Sequence, residues 1–477
     1  MPADSLTLDS LAAATGGEVV GDGATPIADV THDSRAAGPS DLFVAIRGAN
    51  LDGHDFIAST RAGAVCVDRR QDADMPLLVV PDTRAALPVL AATVHGDPSH
   101  HLKVVGITGT NGKTTVAYLL ASIVSEAGMK PGVIGTVGAQ IGSQHLDQVR
   151  TSPEASDFQR LLRRMVGGGV EVAAVEVSSH ALVFGRADQT RFASVAFTNL
   201  SQDHLDLHGD MESYFQAKAL LFSGAQGASV VNTDDPWGRR LADQVEGPLV
   251  TVGADGEVWA DGLVSTLSQS RFELHTPAGN RRVTLPLGGR FNVENALVAA
   301  GCAISLNLPL DAIVAGLEAV EPIAGRMEPI AAGQECAIVV DYAHTPEGIS
   351  EVVDSVRPLV AGRIIVVVGA GGDRDADKRP AMGRAASQAD RVYVTSDNPR
   401  SEDPGMIIDA VLDGADGQAE VFTEPDRRKA IGAAIAGAGA GDVVLILGKG
   451  HETGQEVAGT MEPFDDRQVA REVVAAS

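Results

Sequence analysis

The segment Gly106-Ile-Thr-Gly-Thr-Asn-Gly-Lys-Thr-Thr115 constrains this chain more than any other. It joins an apolar run at 104–108 to an amphipathic stretch at 113–127, so it reads as a strand, a glycine turn and a helix. Glycines allow backbone conformations in which successive N–H groups converge on phosphate oxygens. The helix that follows adds its positive end. Lys113 is placed to reach terminal phosphates, and the Thr114 hydroxyl to ligate Mg²⁺. Position 107 is Ile, so the match is G-x₂-GK[ST] with an extra glycine upstream rather than the usual G-x₄-GK. Ordinary glycine-rich turns seldom also carry Lys-Thr. The loop alone suits a GTPase, a motor or a kinase equally.

At about 150 residues per domain, 477 residues predict three domains. The strand, turn and helix at the loop open a doubly wound sheet, continued by strands at 172–177, 194–198 and 229–232. Each of these runs into a polar segment at its carboxyl end, the edge where open α/β sheets bind ligands. The expected fold class is α/β with three domains. A small α/β domain spans 1–102 and ends at His95-Gly-Asp-Pro-Ser99; a central domain with a P-loop and a mostly parallel sheet spans 103–330. A Rossmann-like domain spans 331–477, with strands at 363–368, 391–395 and 442–447.

The composition is that of a folded protein, 44% hydrophobic and 21% charged. With 37 basic and 63 acidic residues the formal charge is −26, which excludes nucleic-acid binding through a general basic surface. An anionic substrate therefore has to be held by a local cluster of cations, N–H groups and metal. Cys66, Cys302 and Cys336 lack metal-ligand spacing and read as buried free thiols. There is no leader pattern and no run near the roughly 20 apolar residues of a membrane span, so a cytoplasmic protein with no membrane partner is expected.

Chemistry-bearing residues gather after two adjacent strands. Glu176 ends the strand at 172–177, and Val-Ser-Ser-His180 follows, placing a carboxylate and hydroxyls where a second metal ligand belongs. His204 and Asp206 stand in the polar stretch Thr198-Asn-Leu-Ser-Gln-Asp-His-Leu-Asp-Leu-His208 as metal or phosphate contacts. From its residues alone, Lys218 reads as a snorkelling surface lysine.

These segments together resemble the Mur ligases, cytoplasmic enzymes that build the peptide of bacterial cell wall. The resemblance rests on the 106–115 loop, Glu176-Val-Ser-Ser-His-Ala-Leu182, Asp203-His-Leu-Asp-Leu-His-Gly209, Phe291-Asn-Val-Glu-Asn-Ala296, Gly325-Arg-Met-Glu328, Asp341-Tyr-Ala-His-Thr-Pro346 and Gly448-Lys-Gly-His-Glu452, in family order. Thr151-Ser-Pro-Glu154 and Asp397-Asn-Pro-Arg400 are similar to members that add the third residue to UDP-N-acetylmuramoyl-L-alanyl-D-glutamate, there meso-diaminopimelate.

The resemblance implies an ATP-dependent amide ligase working through an acyl phosphate. It implies ATP on Gly109, Thr110, Asn111, Gly112, Lys113, Thr114 and Thr115, with Asn295, Arg326 and Asp341 at adenine and ribose. It implies Mg²⁺ contacts at Thr114, Glu176 and His204, and a carbamylated Lys218, which overturns the snorkelling reading. Catalysis would rest on Lys113, Lys218, Glu176 and His204. Asp33-Ser34-Arg35 matches the UDP contact, and Thr151, Ser152, Ser178 and Arg186 would hold the muramoyl dipeptide. Phe184 departs from relatives that carry a substrate-touching glutamine there. Arg374, Asp397, Asn398, Pro399, Arg400, Gly448 and Glu452 would read the amino acid, Arg400 taking the second carboxylate that lysine lacks. A monomer is expected. The rivals are a lysine-adding ligase, a folylpolyglutamate synthetase and a P-loop switch protein.

Overall fold

The run ahead of the glycine loop forms strand Lys103–Thr108 in the computed structural model, which describes residues 6–48, 51–146, 151–223, 227–417 and 419–476. Contacts divide the chain into two units. One comprises Met1–Thr108, Gly128–Ala196 and Ala217–Ser229, the other Gly109–Ala127, Phe197–Gln216 and Val230–Ser477.

The first unit has a five-stranded sheet in the order Glu18–Val20, Leu77–Val79, Ala64–Val67, Asp41–Val44, Asp29–Thr31. Only the first pairing is antiparallel. Ala64–Val67 is buried at every residue, as a parallel strand covered on both faces must be. Helices Leu8–Thr15 and Thr83–His95 supply Leu8, Leu11, Leu87 and Leu90 to one of its two cores. Gly96, at φ 71°, caps the second helix in the left-handed conformation, which is the physical basis of the turn expected at 95–99.

The same unit holds a second run of strands in the order Phe192–Phe197, Lys103–Thr108, Val172–Glu176, Pro131–Gly135, Gly138–Ile141, Gln144–Leu146. Val172–Glu176 is parallel to both neighbours, while the last two strands turn back antiparallel. The two strands expected side by side are thus separated by Lys103–Thr108. The chain starts at the centre of the sheet and winds outward on either side, which puts the carboxyl end of Lys103–Thr108 at the reversal of strand order.

In the second unit, helix Lys113–Glu126 packs with Arg290–Ser305 and Leu310–Ala319. The approach is close at Gly316, where a Cβ would lie 2.3 Å from the Ile123 Cα. An antiparallel sheet of Trp259–Ser265, Ser270–Thr276 and Gly279–Leu285 was not legible in the sequence, because its outer face alternates polar residues through glycine turns. The last sheet runs Glu328–Pro329, Ala337–Asp341, Val443–Leu447, Ile364–Val368, Arg391–Val394, Glu420–Thr423. All pairings after the first are parallel. Apolar cores lie on both of its faces, which explains the unbroken runs Ile-Ile-Val-Val-Val and Val-Val-Leu-Ile-Leu. The three cysteines are free and buried. Among the described residues no helix is long and apolar enough to cross a membrane.

Candidate active site

Two glycines set the shape of the phosphate loop. Gly109 has φ +146° and Gly112 φ +84°, and a Cβ would lie 1.8 Å from Thr198 Oγ1 at the first and 2.1 Å from Asn295 Oδ1 at the second. The loop is held from outside: Asn199 accepts from the Thr110 amide through its carbonyl and from the Asn111 amide through Oδ1, each at 2.9 Å. Thr198 Oγ1 donates to the Asn111 carbonyl at 2.6 Å. Lys113 Nζ donates to the carbonyls of Gly109 at 2.9 Å and Thr110 at 2.8 Å, so its ammonium lies over the loop it is expected to serve. Thr115 is buried in the first turn of the helix.

Beside Asn111 and Gly112 opens a small cleft, lined also by Asn232, Phe291, Glu294, Asn295 and Glu351. Burial, reinforced by Glu294, Glu347, Asp341 and Asp235, pushes the Glu351 carboxyl up to about 7. Glu351 lay in no motif, and Glu294, inside the Phe291 to Ala296 motif, was given no role. Arg326 Nη2 donates to Thr114 Oγ1 at 2.9 Å, and its guanidinium lies 4.6 Å from the Tyr342 ring centroid. Asp341 accepts from the amides of Met327 at 2.7 Å and Ala343 at 2.8 Å, and burial raises its carboxyl above the usual range.

His204 adopts φ 55° ahead of the short helix Leu205–His208, its Nε2 3.4 Å from Asp203. Asp206 begins that helix on its more exposed side. Asp203 is buried, with Lys378 Nζ at 2.8 Å and His344 Nε2 at 3.7 Å. Burial alone would raise its carboxyl, but the His344 hydrogen bond and the charges of His204, Lys378 and His344 hold it well below the usual range. Lys378 lay outside every motif, and His344, inside the Asp341 to Pro346 motif, was given no role, because these groups meet Asp203 only through the fold.

The residues expected to read the amino acid gather at the carboxyl ends of the last sheet. Asn398 Nδ2 donates to Glu452 Oε2 at 2.7 Å, and a Cβ on Gly448 would lie 2.7 Å from Asp397 Oδ2. Arg400, at φ 53° after Pro399, donates from Nη1 to the Gly372 carbonyl at 2.6 Å. Arg374 is exposed and donates from Nη1 to its neighbour's carbonyl, Asp373 O, at 2.9 Å.

In the first unit, Ser152 Oγ donates to the Glu176 carbonyl at 2.8 Å and accepts from the Ser178 amide at 3.1 Å. Arg186 pairs with Glu154 at 2.9 Å, Arg84 lies 3.4 Å from the same carboxylate, and both guanidinium groups flank the Phe184 ring at 5.6 and 5.2 Å. Thr151 and Thr136 share a hydroxyl contact at 3.0 Å. Ser34 accepts from Thr60 through its carbonyl, and Arg35 forks onto Asp33 at 2.9 and 2.8 Å. Glu176 is fully buried and accepts from the Thr136 amide and hydroxyl, each at 2.9 Å. Among the described residues no Lys, Arg or His pairs with it, so this acceptor-only group suits a cation. Lys218 is 1% exposed, which corrects the reading of it as a snorkelling surface residue. Among the described residues no group of three or more His, Cys, Asp or Glu forms a metal cluster.

A glycine loop shaped for phosphates, in one unit with a mostly parallel sheet that carries an Asn-Glu pair and arginines at its carboxyl edge, fits a nucleotide-dependent enzyme of the ligase type. The chain belongs to the Mur ligase family: it matches that family's catalytic-domain model at residues 26–95, the Mur ligase middle domain at 107–303 and the Mur ligase glutamate ligase domain at 325–450. It is 44% identical to the UDP-N-acetylmuramoyl-L-alanyl-D-glutamate–2,6-diaminopimelate ligase of Streptomyces coelicolor, over 95% of this chain and 93% of that protein. It is 42% identical to the Bacillus licheniformis protein of the same name, over 94% of each. A solved structure of a 2,6-diaminopimelate ligase of this name is 31% identical, with a TM-score of 0.68 over 99% of both chains. The fold is also that of the Thermotoga maritima MurF ligase solved in complex with ADP, at 18% identity and a TM-score of 0.64 over 94% of this chain and 96% of that one.

Proposed function

We propose that this chain is the cytoplasmic ligase that adds meso-diaminopimelate to the D-glutamate of UDP-N-acetylmuramoyl-L-alanyl-D-glutamate, with ATP, in peptidoglycan synthesis, and that it acts as a monomer. The observation that carries it is the presence in one unit of a loop built for phosphates and an Asn398–Glu452 pair beside Arg400. The names of the relatives support the choice of diaminopimelate over lysine. We divide the chain into domains at 1–102, 103–330 and 331–477, with UDP on Ser34 and Arg35 and the muramoyl dipeptide on Thr151, Ser152, Ser178 and Arg186.

A carboxylate is a poor electrophile. In the proposed reaction its oxygen attacks the γ-phosphorus of ATP, the bond to the bridging oxygen breaks, and ADP leaves behind an acyl phosphate. Lys113 turns from the loop carbonyls to the γ-phosphoryl oxygens and offsets their charge. Asn295, Arg326 and Asp341 hold the adenosine end. Mg²⁺ would supply charge neutralisation at the phosphates; Thr114 and His204 are its proposed contacts in the second unit, Glu176 and the carbamate of Lys218 those in the first. The amine, having shed its ammonium proton, attacks the acyl carbon, and phosphate departs from the tetrahedral adduct. Glu452 and Asn398 orient the amino acid, while Arg374 and Arg400 take its carboxylates.

The test is phosphate release with ATP and the UDP-dipeptide, adding meso-diaminopimelate, L-lysine or L-glutamate in turn. Release that depends on diaminopimelate is expected. Equal or greater release with lysine would reassign the substrate, and slow release indifferent to any amino acid would favour a nucleotide switch.

A further inference from the structure

Lys449 lies in a glycine loop, yet its side chain is wholly buried. A buried ammonium is unfavourable unless paired and hydrogen-bonded. Its partners are two side chains already assigned to the amino acid: Nζ is 3.1 Å from Asn398 Oδ1 and 3.1 Å from Glu452 Oε2. Asn398 Oδ1 also accepts from the Glu456 amide at 2.9 Å. With two donors aimed at one end, the Asn398 amide has a single satisfactory orientation, and its Nδ2 must face the other way. That Nδ2 spends one proton on Glu452 Oε2 at 2.7 Å and retains another. Glu452 Oε1 makes no hydrogen bond among the described residues, and the Glu452 side chain is 31% exposed. The strand that leads into the loop is tied from behind. Arg427 Nη2 donates to the Leu447 carbonyl at 2.9 Å, and the guanidinium forks onto the fully buried Asp466 at 2.8 and 2.7 Å.

We propose that Lys449 is a positioning residue for the incoming amino acid. It pins Oε2 of Glu452 and Oδ1 of Asn398, leaving Oε1 to accept from the substrate's ammonium and the spare Nδ2 proton to donate to a carboxylate. Because both groups are held before binding, little ordering is left to be done when the amino acid arrives.

The inference rests on the reading that Glu452 and Asn398 receive the amino acid, so the experiment tests both. Steady-state kinetics of Lys449→Met should show KM for diaminopimelate raised by about tenfold or more, with KM for ATP within about twofold. ADP–ATP exchange dependent on the UDP-dipeptide, which reports acyl-phosphate formation before the amine is needed, should be unchanged. Lys449→Gln keeps a donor in the pocket and guards against collapse of the loop; it should raise the same KM. A wild-type KM for diaminopimelate in both variants overturns the inference, as does exchange lost in parallel with overall turnover, the mark of a merely structural lysine. Glu452→Gln separates the two claims. If it leaves that KM unchanged, the reading of the site itself fails; if it raises the KM while the Lys449 variants do not, the positioning role alone fails.

Discussion

Arg326 donates through Nη2 to the hydroxyl of Thr114 at 2.9 Å, joining the first turn of the phosphate helix to a residue 212 positions later, on the approach to the last sheet. Among the described residues the buried Arg326 Nε has no hydrogen-bond partner, so the guanidinium's hydrogen bonding is incomplete.

Replacing Arg326 by alanine should therefore weaken ATP binding selectively. Loss of a hydrogen bond to a charged partner, about 1.5–3 kcal/mol, corresponds to a rise in KM for ATP of about 10- to 150-fold. KM for diaminopimelate should stay within about twofold. A rise shared equally by both substrates would contradict the assignment.

Glu351 makes stability depend on pH in a defined direction. Its carboxyl lies at about 7 in the fold against an ordinary value of 4.5, so between those values the folded state holds a proton that the unfolded state has released. Stability from this group is greatest below 4.5, falls as pH rises to about 7, and is level above. The loss is on the order of 1–3 kcal/mol. Glu351→Gln should raise the melting temperature over the unsubstituted protein at pH 8 and leave it nearly unchanged at pH 4.5. A difference of the same size at both pH values would sink the explanation.

The burial of Lys218 gives carbamylation a direct test. Lys218→Ala should be nearly inactive and should regain part of its turnover when short-chain carboxylic acids are added, because they restore the missing anion. Rescue by alkylamines instead would show that the cation is the required form.

Arg400 is held in a left-handed backbone conformation by two bonds of its own main chain, to Glu456 at 3.0 Å and from Ala458 at 2.7 Å. Such a placement fixes where the fork of donors can reach. Arg400→Ala should raise KM for diaminopimelate by about 10- to 100-fold with ATP binding preserved, and Arg400→Lys should recover little, since an ammonium cannot grip a carboxylate at two points. Equal loss of both substrates would count against this role.

The parts of the fold that were legible are those whose neighbours in sequence are also neighbours in space. The glycines at 109 and 112, the lysine at 113 and the apolar strand ahead of them form one local unit, so their pattern survives in one dimension. The strands at 172–176, 364–368 and 443–447 were readable because burial on both faces leaves an unbroken apolar run. The sheet at 259–285 was not, because an exposed antiparallel ribbon mixes polar and apolar residues without a strong period. Asp203 and His344 stand in separate motifs and Lys378 in none, so their meeting, which only tertiary structure brings about, has no signal in the sequence. Lys449 could have been found from its place in a glycine loop at a strand's carboxyl end, but nothing local said that its ammonium turns inward. Lys218 illustrates the reverse case, where a long charged side chain beside apolar residues suggested exposure and the fold buried it.

The central claim is that the loop around Lys113 grips the phosphates of ATP and that this lysine stabilises the transferred group. Turnover of Lys113→Ala with ATP, the UDP-dipeptide and meso-diaminopimelate tests it most directly. The account predicts a fall in kcat/KM of about 10²- to 10³-fold or more in a protein that still melts cooperatively. Undiminished turnover in that variant would contradict it.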